Sequence, residues 1–299
     1  MASIAPELAS TVAAIVDGGS LEAAARALSI TPSAVSQRLK SLEQQLGRVL
    51  VVRGRPATAT PSGEAVVRMA RQIALLEHET LAGLGLDAAD GRASMPLAVN
   101  ADSMATWFLA PLARLSETHD IDFDLHRDDQ NFTARLLESG EVMAAVTAES
   151  TPVTGCSVAP LGILVYEAVA TPAFVRRWFA DGVTDDALRR APFVDFDRRD
   201  ALQQQWLAAR GIEAEGVPRH YVPASHDFAA AVALGLGWGM LPGPQLADAL
   251  ASGAVVPLGG EPVRVPLHWQ QWNLRSALLD AVAAEVAAEA GAVLEPYRH

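Results

Sequence analysis

Several short runs bring chemistry-bearing side chains together, and their spacing decides what each can do. Asp120, Asp122, Asp124, His126 and Asp128 alternate with Ile121, Phe123 and Leu125, so the polar set shares one strand face like a comb of metal ligands. A solvated acidic face above an apolar core gives the same alternation, and that reading is preferred to a metal site. Ser225-His226-Asp227 has the letters of a hydrolytic triad, yet contiguous residues cannot converge in its geometry. Gly235-Leu-Gly-Trp-Gly239 resembles a phosphate-cradling loop, but it is expected to follow a helix and precede a strand, the reverse of the required order. His119, His220 and His268 have no ligand-like spacing. Cys156 is the single cysteine, which excludes an internal disulfide and a cysteine-based zinc cluster. No set of acid, base and nucleophile rises above this background, so the chain is not read as an enzyme, and no cofactor is expected.

A different chemistry is concentrated near the N-terminus. Thr31, Ser33, Ser36, Gln37, Arg38 and Lys40 supply the hydroxyl, amide and cationic donors that grip phosphates and read base edges. Arg53-Gly54-Arg55-Pro56 adds two more cations after the β-rich residues 49–52. The charge is uneven. Residues 20–75 carry eight bases (Arg26, Arg38, Lys40, Arg48, Arg53, Arg55, Arg68, Arg71) against three acids (Glu22, Glu43, Glu64), in a chain whose net charge is −12. A basic module is therefore joined to an acidic body, and only the module suits nucleic acid.

The elements that must position these groups follow from periodicity. Leu8, Val12, Ile15 and Val16 mark a helix stopped by Gly18-Gly19, Ser20 caps a second, and Thr31-Pro32 opens a third over residues 32–46. Its apolar positions Val35, Leu39, Leu42 and Leu46 form one stripe, with the donors listed above lying off it. Two short helices, a tight turn and a third helix make a helix-turn-helix, though a three-helix core with a solvated polar face fits the same pattern. Thr60-Pro-Ser-Gly63 starts a further helix to about residue 81. Val66, Met69, Ile73 and Leu76 give it the seam of a short coiled coil, or a face that lies on its own domain. Glycines and acids through residue 91 form a linker.

From residue 95 strands alternate with helices, which predicts a parallel-sheet α/β domain. Strands are expected at 95–101, 121–126, 142–148, 165–170, 219–222 and 239–241, with a return through 263–269. Helices are expected at 103–115, 131–139, 173–179, 202–209, 226–234 and 276–290. Two such lobes joined by crossing segments bind a small ligand in their cleft. With 299 residues and half of them hydrophobic, there is material for two packed units. No apolar run reaches the length of a membrane span, and the N-terminus lacks the pattern of a leader, so a cytoplasmic protein without a membrane partner is expected.

The run Ser20-Leu-Glu-Ala-Ala-Ala-Arg-Ala-Leu-Ser-Ile-Thr-Pro-Ser-Ala-Val-Ser-Gln-Arg-Leu-Lys-Ser-Leu-Glu-Gln-Gln-Leu-Gly47, with Arg53 and Thr60-Pro-Ser-Gly63, resembles the LysR-type transcriptional regulators. Val99-Asn-Ala-Asp-Ser-Met-Ala-Thr-Trp-Phe-Leu109 and Gly140-Glu-Val-Met-Ala-Ala-Val-Thr147 resemble more narrowly the LysG/ArgP branch, which controls export of basic amino acids. The resemblance implies a winged helix-turn-helix over residues 1–60, a linker or dimerisation helix and hinge over 61–91, and a periplasmic-binding-protein-like effector domain over 92–299. Lobe I would hold about 92–162 and 267–299, and lobe II about 163–266. The family's DNA contacts fall on Thr31, Pro32, Ser33, Ser36, Gln37 and Arg38 and on Arg53 and Arg55. Lys40 joins them on chemical grounds as a backbone contact. Gln37 stands where many relatives carry arginine, so the operator sequence does not carry over. The implied partners are double-stranded operator DNA, RNA polymerase contacted directly or indirectly, and a second or further copies in a homodimer or homotetramer.

The expected effector is L-lysine or L-arginine, and its carboxylate, ammonium and basic side chain each need a counterpart. Ser103 at a helix start suits the carboxylate, and the resemblance puts an effector-contacting serine or threonine there. Asp102 serves the ammonium or caps the helix. Trp107 packs on an aliphatic stem or lies in the core. Thr147 and Asp129 complete the wall of lobe I, while Asp197, Ser225 and Asp227 lie at strand-to-loop junctions of lobe II. One or two of Asp129, Glu149, Asp197 and Asp227 would pair the side-chain cation, whose burial alone is costly. The rival readings are a regulator with another effector and, in a different class, a solute-binding protein, which would need a secretion signal and no basic module.

Overall fold

A computed structural model of the chain describes residues 3–86, 92–127 and 133–297. Helices α1 (Pro6–Gly18), α2 (Leu21–Ala27) and α3 (Pro32–Leu46) open the chain. Ser20 Oγ accepts the Ala23 N–H at 3.1 Å and Thr31 Oγ1 the Ala34 N–H at 3.2 Å. These are the caps that the sequence places before α2 and α3, each satisfying a donor left over by its helix. Gly47 follows α3 in the left-handed region, with φ 64°, which costs glycine nothing. Val12, Ile15, Ala24, Val35, Leu39 and Leu42 are buried together. The apolar stripe of α3 thus faces inward and its donor-bearing face is left outward.

Strands β1 (Val51–Val52) and β2 (Thr58–Ala59) pair antiparallel, leaving residues 53–57 as the tip of a wing. Helix α4 (Pro61–Gly83) follows, capped by Thr60, whose Oγ1 accepts the Gly63 N–H and donates to the Val49 carbonyl at 2.7 Å. Val66, Val67 and Ala70 join the core of the N-terminal module, whereas Leu75 joins that of the following domain. The seam read from the sequence is used only in part within the chain, since Leu76 remains 38% exposed.

The second domain runs β3 (Ala93–Val99), α5 (Ala101–Thr106), α6 (Leu109–Thr118), β4 (Ile121–Arg127), α7 (Thr133–Ser139), β5 (Ala144–Thr147) and β6 (Cys156–Ala170). It continues through α8 (Pro172–Trp178), α9 (Asp185–Arg190), β7 (Phe193–Asp195), α10 (Leu202–Ala208), β8 (Arg219–Tyr221), α11 (Ser225–Ala233) and β9 (Gly239–Pro242). The last elements are α12 (Gly243–Ala251), β10 (Val256–Pro257), β11 (Val263–Trp272) and α13 (Ala277–Val293). The main sheet is ordered β10-β6-β11-β5-β3-β4, with β9 also on β6, and a short parallel pair β7-β8 stands beside it.

Strand β6 is the principal departure from expectation. The sequence suggests a strand over 165–170, but β6 has 15 residues and passes through both lobes beside β11. Its first half contains Pro160 and Gly162, which read as loop signals and hide it. Because β6 and β11 run antiparallel, the sheet is mixed rather than purely parallel. Their register shifts between Leu267 and His268, where β11 leaves the neighbourhood of β6 alone and gains β5. The helix expected over 103–115 is broken into α5 and α6, because Trp107 and Phe108 turn into the core at 2% and 0% exposure. Short elements α9, β7, α12 and β10 carry too few residues for periodicity to reveal.

Helix α4 ties the two domains together. Arg71 bonds Asp17 of α1 with one nitrogen and the Gly140 carbonyl with the other, and Arg68 donates to the Glu138 carbonyl. Gly140 has φ 76°, and a Cβ there would lie 2.8 Å from the Arg68 Cβ, so the approach needs glycine. Farther along, Glu79 accepts from the Ser276 hydroxyl and the Leu278 N–H, both at 2.7 Å.

Gly63 tests the module's packing, because a Cβ there would collide with the Leu50 carbonyl. Gly63→Ala is expected to cost about 1–3 kcal/mol, read as a lower urea midpoint of the N-terminal transition. An unchanged midpoint would mean that the helix start and the wing are not in rigid contact.

Candidate functional site

Two surfaces collect the functional groups. On the N-terminal module, Thr31, Pro32, Ser33, Gln37 and Lys40 are exposed on α3, Ser36 and Arg38 are half-buried beside them, and Arg53 and Arg55 are exposed on the wing. Thr31 Oγ1 and Ser33 Oγ are 2.9 Å apart, which orders the hydroxyls at the start of the helix. Cations on two separate elements project from one small body, with the side chains of α3 between them.

The second surface is a cavity of about 250 Å³ between the lobes. Lobe I contributes Asn100 and Asp102 from the end of β3 and the start of α5, and lobe II contributes Phe196, Arg199, Asp200, Gln205, Phe228, Met240 and Gln245. Asn100 is the cap of α5, with Oδ1 accepting the Ser103 N–H at 2.8 Å. The capping role open to Asp102 therefore belongs to Asn100. Asp102 instead reaches across the cleft. Its Oδ1 accepts from Ser225 Oγ at 2.6 Å and its Oδ2 from Tyr166 Oη at 2.7 Å. Burial, and then the Asp102 carboxylate, hold the Tyr166 phenol well above its usual pKa, so it stays a donor. Gln245 Nε2 donates to Ser225 Oγ at 3.0 Å, completing a chain from α12 through α11 to α5.

On lobe II a tight turn after β7 presents Asp200. Asp197 Oδ1 accepts the N–H groups of Arg199 and Asp200, while Asp200 accepts those of Phe196 and Leu202. Burial raises the Asp200 pKa, the two backbone donors oppose that rise, and the Asp102 and Asp197 carboxylates add to it. Behind it Asp195 is fully buried with Oδ1 unpartnered among the described residues. Burial first, and the Asp200 charge second, push Asp195 up to about 7 despite Arg219 and Gln204 alongside. A carboxylate cluster in a low-dielectric cleft attracts cations.

The structure brings only part of the expected effector set together. Asp102 and Ser225 meet across the cleft, whereas Asp197 holds the turn rather than lining the cavity. Ser103 is fully buried, and its Oγ has no partner among the described residues. Trp107 lies in the core edge-on to Phe108 at 5.7 Å, the second of its two readings. Thr147 is buried in β5 and accepts the Glu149 N–H, and Glu149 and Asp227 are exposed away from the cavity. Asp129 lies outside the described residues. Asn100, Tyr166, Asp200 and Gln245 were not singled out by sequence reasoning. The nearest signal was Asp197 at its strand-to-loop junction, three residues before Asp200. The strand comb is paired internally, with Arg92 on Asp120 and Asp122 and His126 on Asp124. No helix among the described residues is long and apolar enough to cross a membrane.

Both domains are similar to those of known proteins. Residues 7–64 match the model of the bacterial regulatory helix-turn-helix proteins of the lysR family, and residues 91–290 match the LysR substrate binding domain. The lysine export transcriptional regulatory protein LysG of Corynebacterium efficiens is 44% identical over 286 residues, covering 94% of this chain and 97% of that one. The crystal structure of ArgP from Mycobacterium tuberculosis superposes with a TM-score of 0.87 at 44% identity, over 99% of this chain and 100% of that one. Full-length LysG from Corynebacterium glutamicum with bound effector Arg gives 0.78 at 38% identity, over 98% of this chain and 100% of that one.

The Asp195 shift predicts a pH dependence. Between its ordinary 3.8 and about 7 the folded chain holds a proton that the unfolded chain has released, so stability falls as pH rises through that window. Asp195→Asn cannot titrate. Its thermal midpoint minus that of the parent is expected to climb from about pH 4 to about pH 7 and then level. A difference independent of pH would show Asp195 ionised throughout, as a partner of Arg219.

Proposed function

The chain belongs to the LysR family of DNA-binding transcriptional regulators, in the branch of LysG and ArgP, and from that membership we propose that it switches a basic amino acid exporter gene in response to lysine or arginine. The family is one of regulators rather than enzymes, and its helix-turn-helix binds DNA. The observation that carries the effector reading is the cavity between the lobes, where Asp102 and Asp200 face one space and no lysine or arginine among the described residues is paired to Asp102. A zwitterion with a second cation supplies positive groups that these two carboxylates can pair. The names of the relatives support the choice, since one is described as a lysine export regulator and another holds arginine as effector.

In this reading residues 1–60 bind duplex operator DNA, and α4 pairs copies of the chain as a homodimer or homotetramer through the part of its seam that the chain does not bury. Gln37 and Arg38 read base edges, Ser33 and Ser36 contact base or phosphate, and Lys40, Arg53 and Arg55 fix register on the backbone. Effector binding alters the relative pose of the lobes, and the stiff joint at Arg68 and Arg71 passes that change to the spacing of the DNA-binding modules. The bend imposed on DNA, and through it RNA polymerase, then responds to the amino acid.

Calorimetric titration of the purified chain with L-lysine, L-arginine and L-histidine, with an aromatic amino acid as control, tests the effector. Saturable binding of lysine or arginine without binding of the control is expected. Silence from all three basic amino acids would remove the export reading and leave a regulator of another pathway. Arg38→Ala should weaken binding to the cognate duplex by about 1–3 kcal/mol and to random duplex by less. Equal losses on both would reassign Arg38 to the phosphate backbone.

A further inference from the structure

The hydrogen-bond chain that crosses the cleft fixes the orientation of two amides, and both leave an atom without a partner. Asn100 Oδ1 accepts the Ser103 N–H, so its other atom must be the NH2 group. That donor, Nδ2, is buried and unpartnered among the described residues, and Asn100 lines the cavity. Ser225 Oγ spends its hydrogen on Asp102 Oδ1. The serine oxygen can then only accept from Gln245, which must present its NH2 to it. What remains is Gln245 Oε1, an acceptor, also buried and unpartnered among the described residues and also on a residue that lines the cavity.

We infer that the cleft has a fixed polarity, in which Asn100 on lobe I takes the effector's carboxylate while Asp200 and Gln245 on lobe II take its side-chain cation, making Asp200 the residue that selects a basic side chain. The inference rests on the amino acid effector proposed above and adds to it which end lies where. An α-carboxylate and an α-ammonium share one carbon, so an anion at Asn100 brings the ammonium to Asp102 two residues on. The side chain then points away from lobe I toward the wall that carries Asp200, Gln205 and Gln245, on which Arg199, engaged by contacts of its own, also stands. Every nitrogen of a guanidinium or an ammonium is a donor, and the oxygens of that wall are acceptors. A neutral side chain of the same shape would leave the Asp200 carboxylate facing the cavity without its cation, and that unmade interaction is what discriminates.

The test compares L-arginine with L-citrulline, which keeps the length and the planar end but not the charge. The full chain is titrated with each, beside Asp200→Asn and Asn100→Asp. Asn100→Asp retains an oxygen for the Ser103 N–H, whereas Asp200→Asn retains one of the two oxygens that accept the Phe196 and Leu202 N–H groups, and Glu213→Gln, on the exposed surface of lobe II, serves as a control. The unsubstituted chain is expected to prefer arginine by roughly tenfold to a hundredfold, the scale of a hydrogen bond to a charged group. Asp200→Asn is expected to shrink that preference to about threefold or less. Asn100→Asp is expected to weaken both ligands by about tenfold or more and leave the preference intact, because both carry the carboxylate that it repels. An unchanged preference in Asp200→Asn, or an equal loss of both ligands there, would make Asp200 a turn residue only and overturn the assignment. Unaltered binding in Asn100→Asp would overturn the polarity. Arginine binding by the unsubstituted chain with either of those results would sink this inference alone, whereas failure of lysine and arginine to bind at all would sink it together with the effector reading.

Discussion

A carboxylate withdrawn from bulk water must find donors, and Asp102 finds two of them on the far side of a cleft or in the strand that spans it. Ser225 belongs to the second lobe and Tyr166 to the crossing strand β6. One acid on a six-residue helix therefore links two lobes that the β6 and β11 crossing also joins. The bonds are short and charge-assisted, the stronger class of hydrogen bond. They are also exchangeable, since hydroxyl donors hold an anion less firmly than a full cation in the same place. Such a link can define one pose of the lobes without making it permanent.

Much of the architecture was legible in the sequence, and the reason is local. Ser20, Thr31 and Thr60 announce helix starts because a side-chain oxygen three residues ahead of a free N–H is a short-range interaction. The stripe Val35, Leu39, Leu42 shows its inner face because α3 is long enough to repeat. What could not be read depends on distance along the chain. Asp102 and Ser225 are 123 residues apart, and neither type nor spacing tells that they meet. Asp200 was passed over because its turn is organised by Asp197, which looked like the ligand and serves as the scaffold. Trp107 and Phe108 break a helix through burial, which periodicity alone does not show. Strand β6 was half hidden, because Pro160 and Gly162 in its first half read as loop signals.

The charge distribution has a plain physical consequence. The basic module presents exposed cations, whereas Asp102 and Asp200, the acids proposed to meet the effector, are gathered in a cleft where water screens them poorly. Added salt should act strongly on the first and weakly on the second. The same chain can therefore hold a small cation and a large anion at once without either site competing for the other's ligand.

Helix α4 also limits how this protein can be recombined. Its caps and first turns belong to the N-terminal core, while Arg68, Arg71 and Glu79 are anchored on the domain that follows. A hybrid regulator joined just after residue 86 would keep the helix and lose its anchors, because Glu138, Gly140 and Ser276 would come from another parent. The exchangeable unit for building sensors is therefore the effector domain together with Arg68, Arg71 and Glu79 that grip it, carried on a helix whose Val66, Val67 and Ala70 stay matched to the N-terminal core.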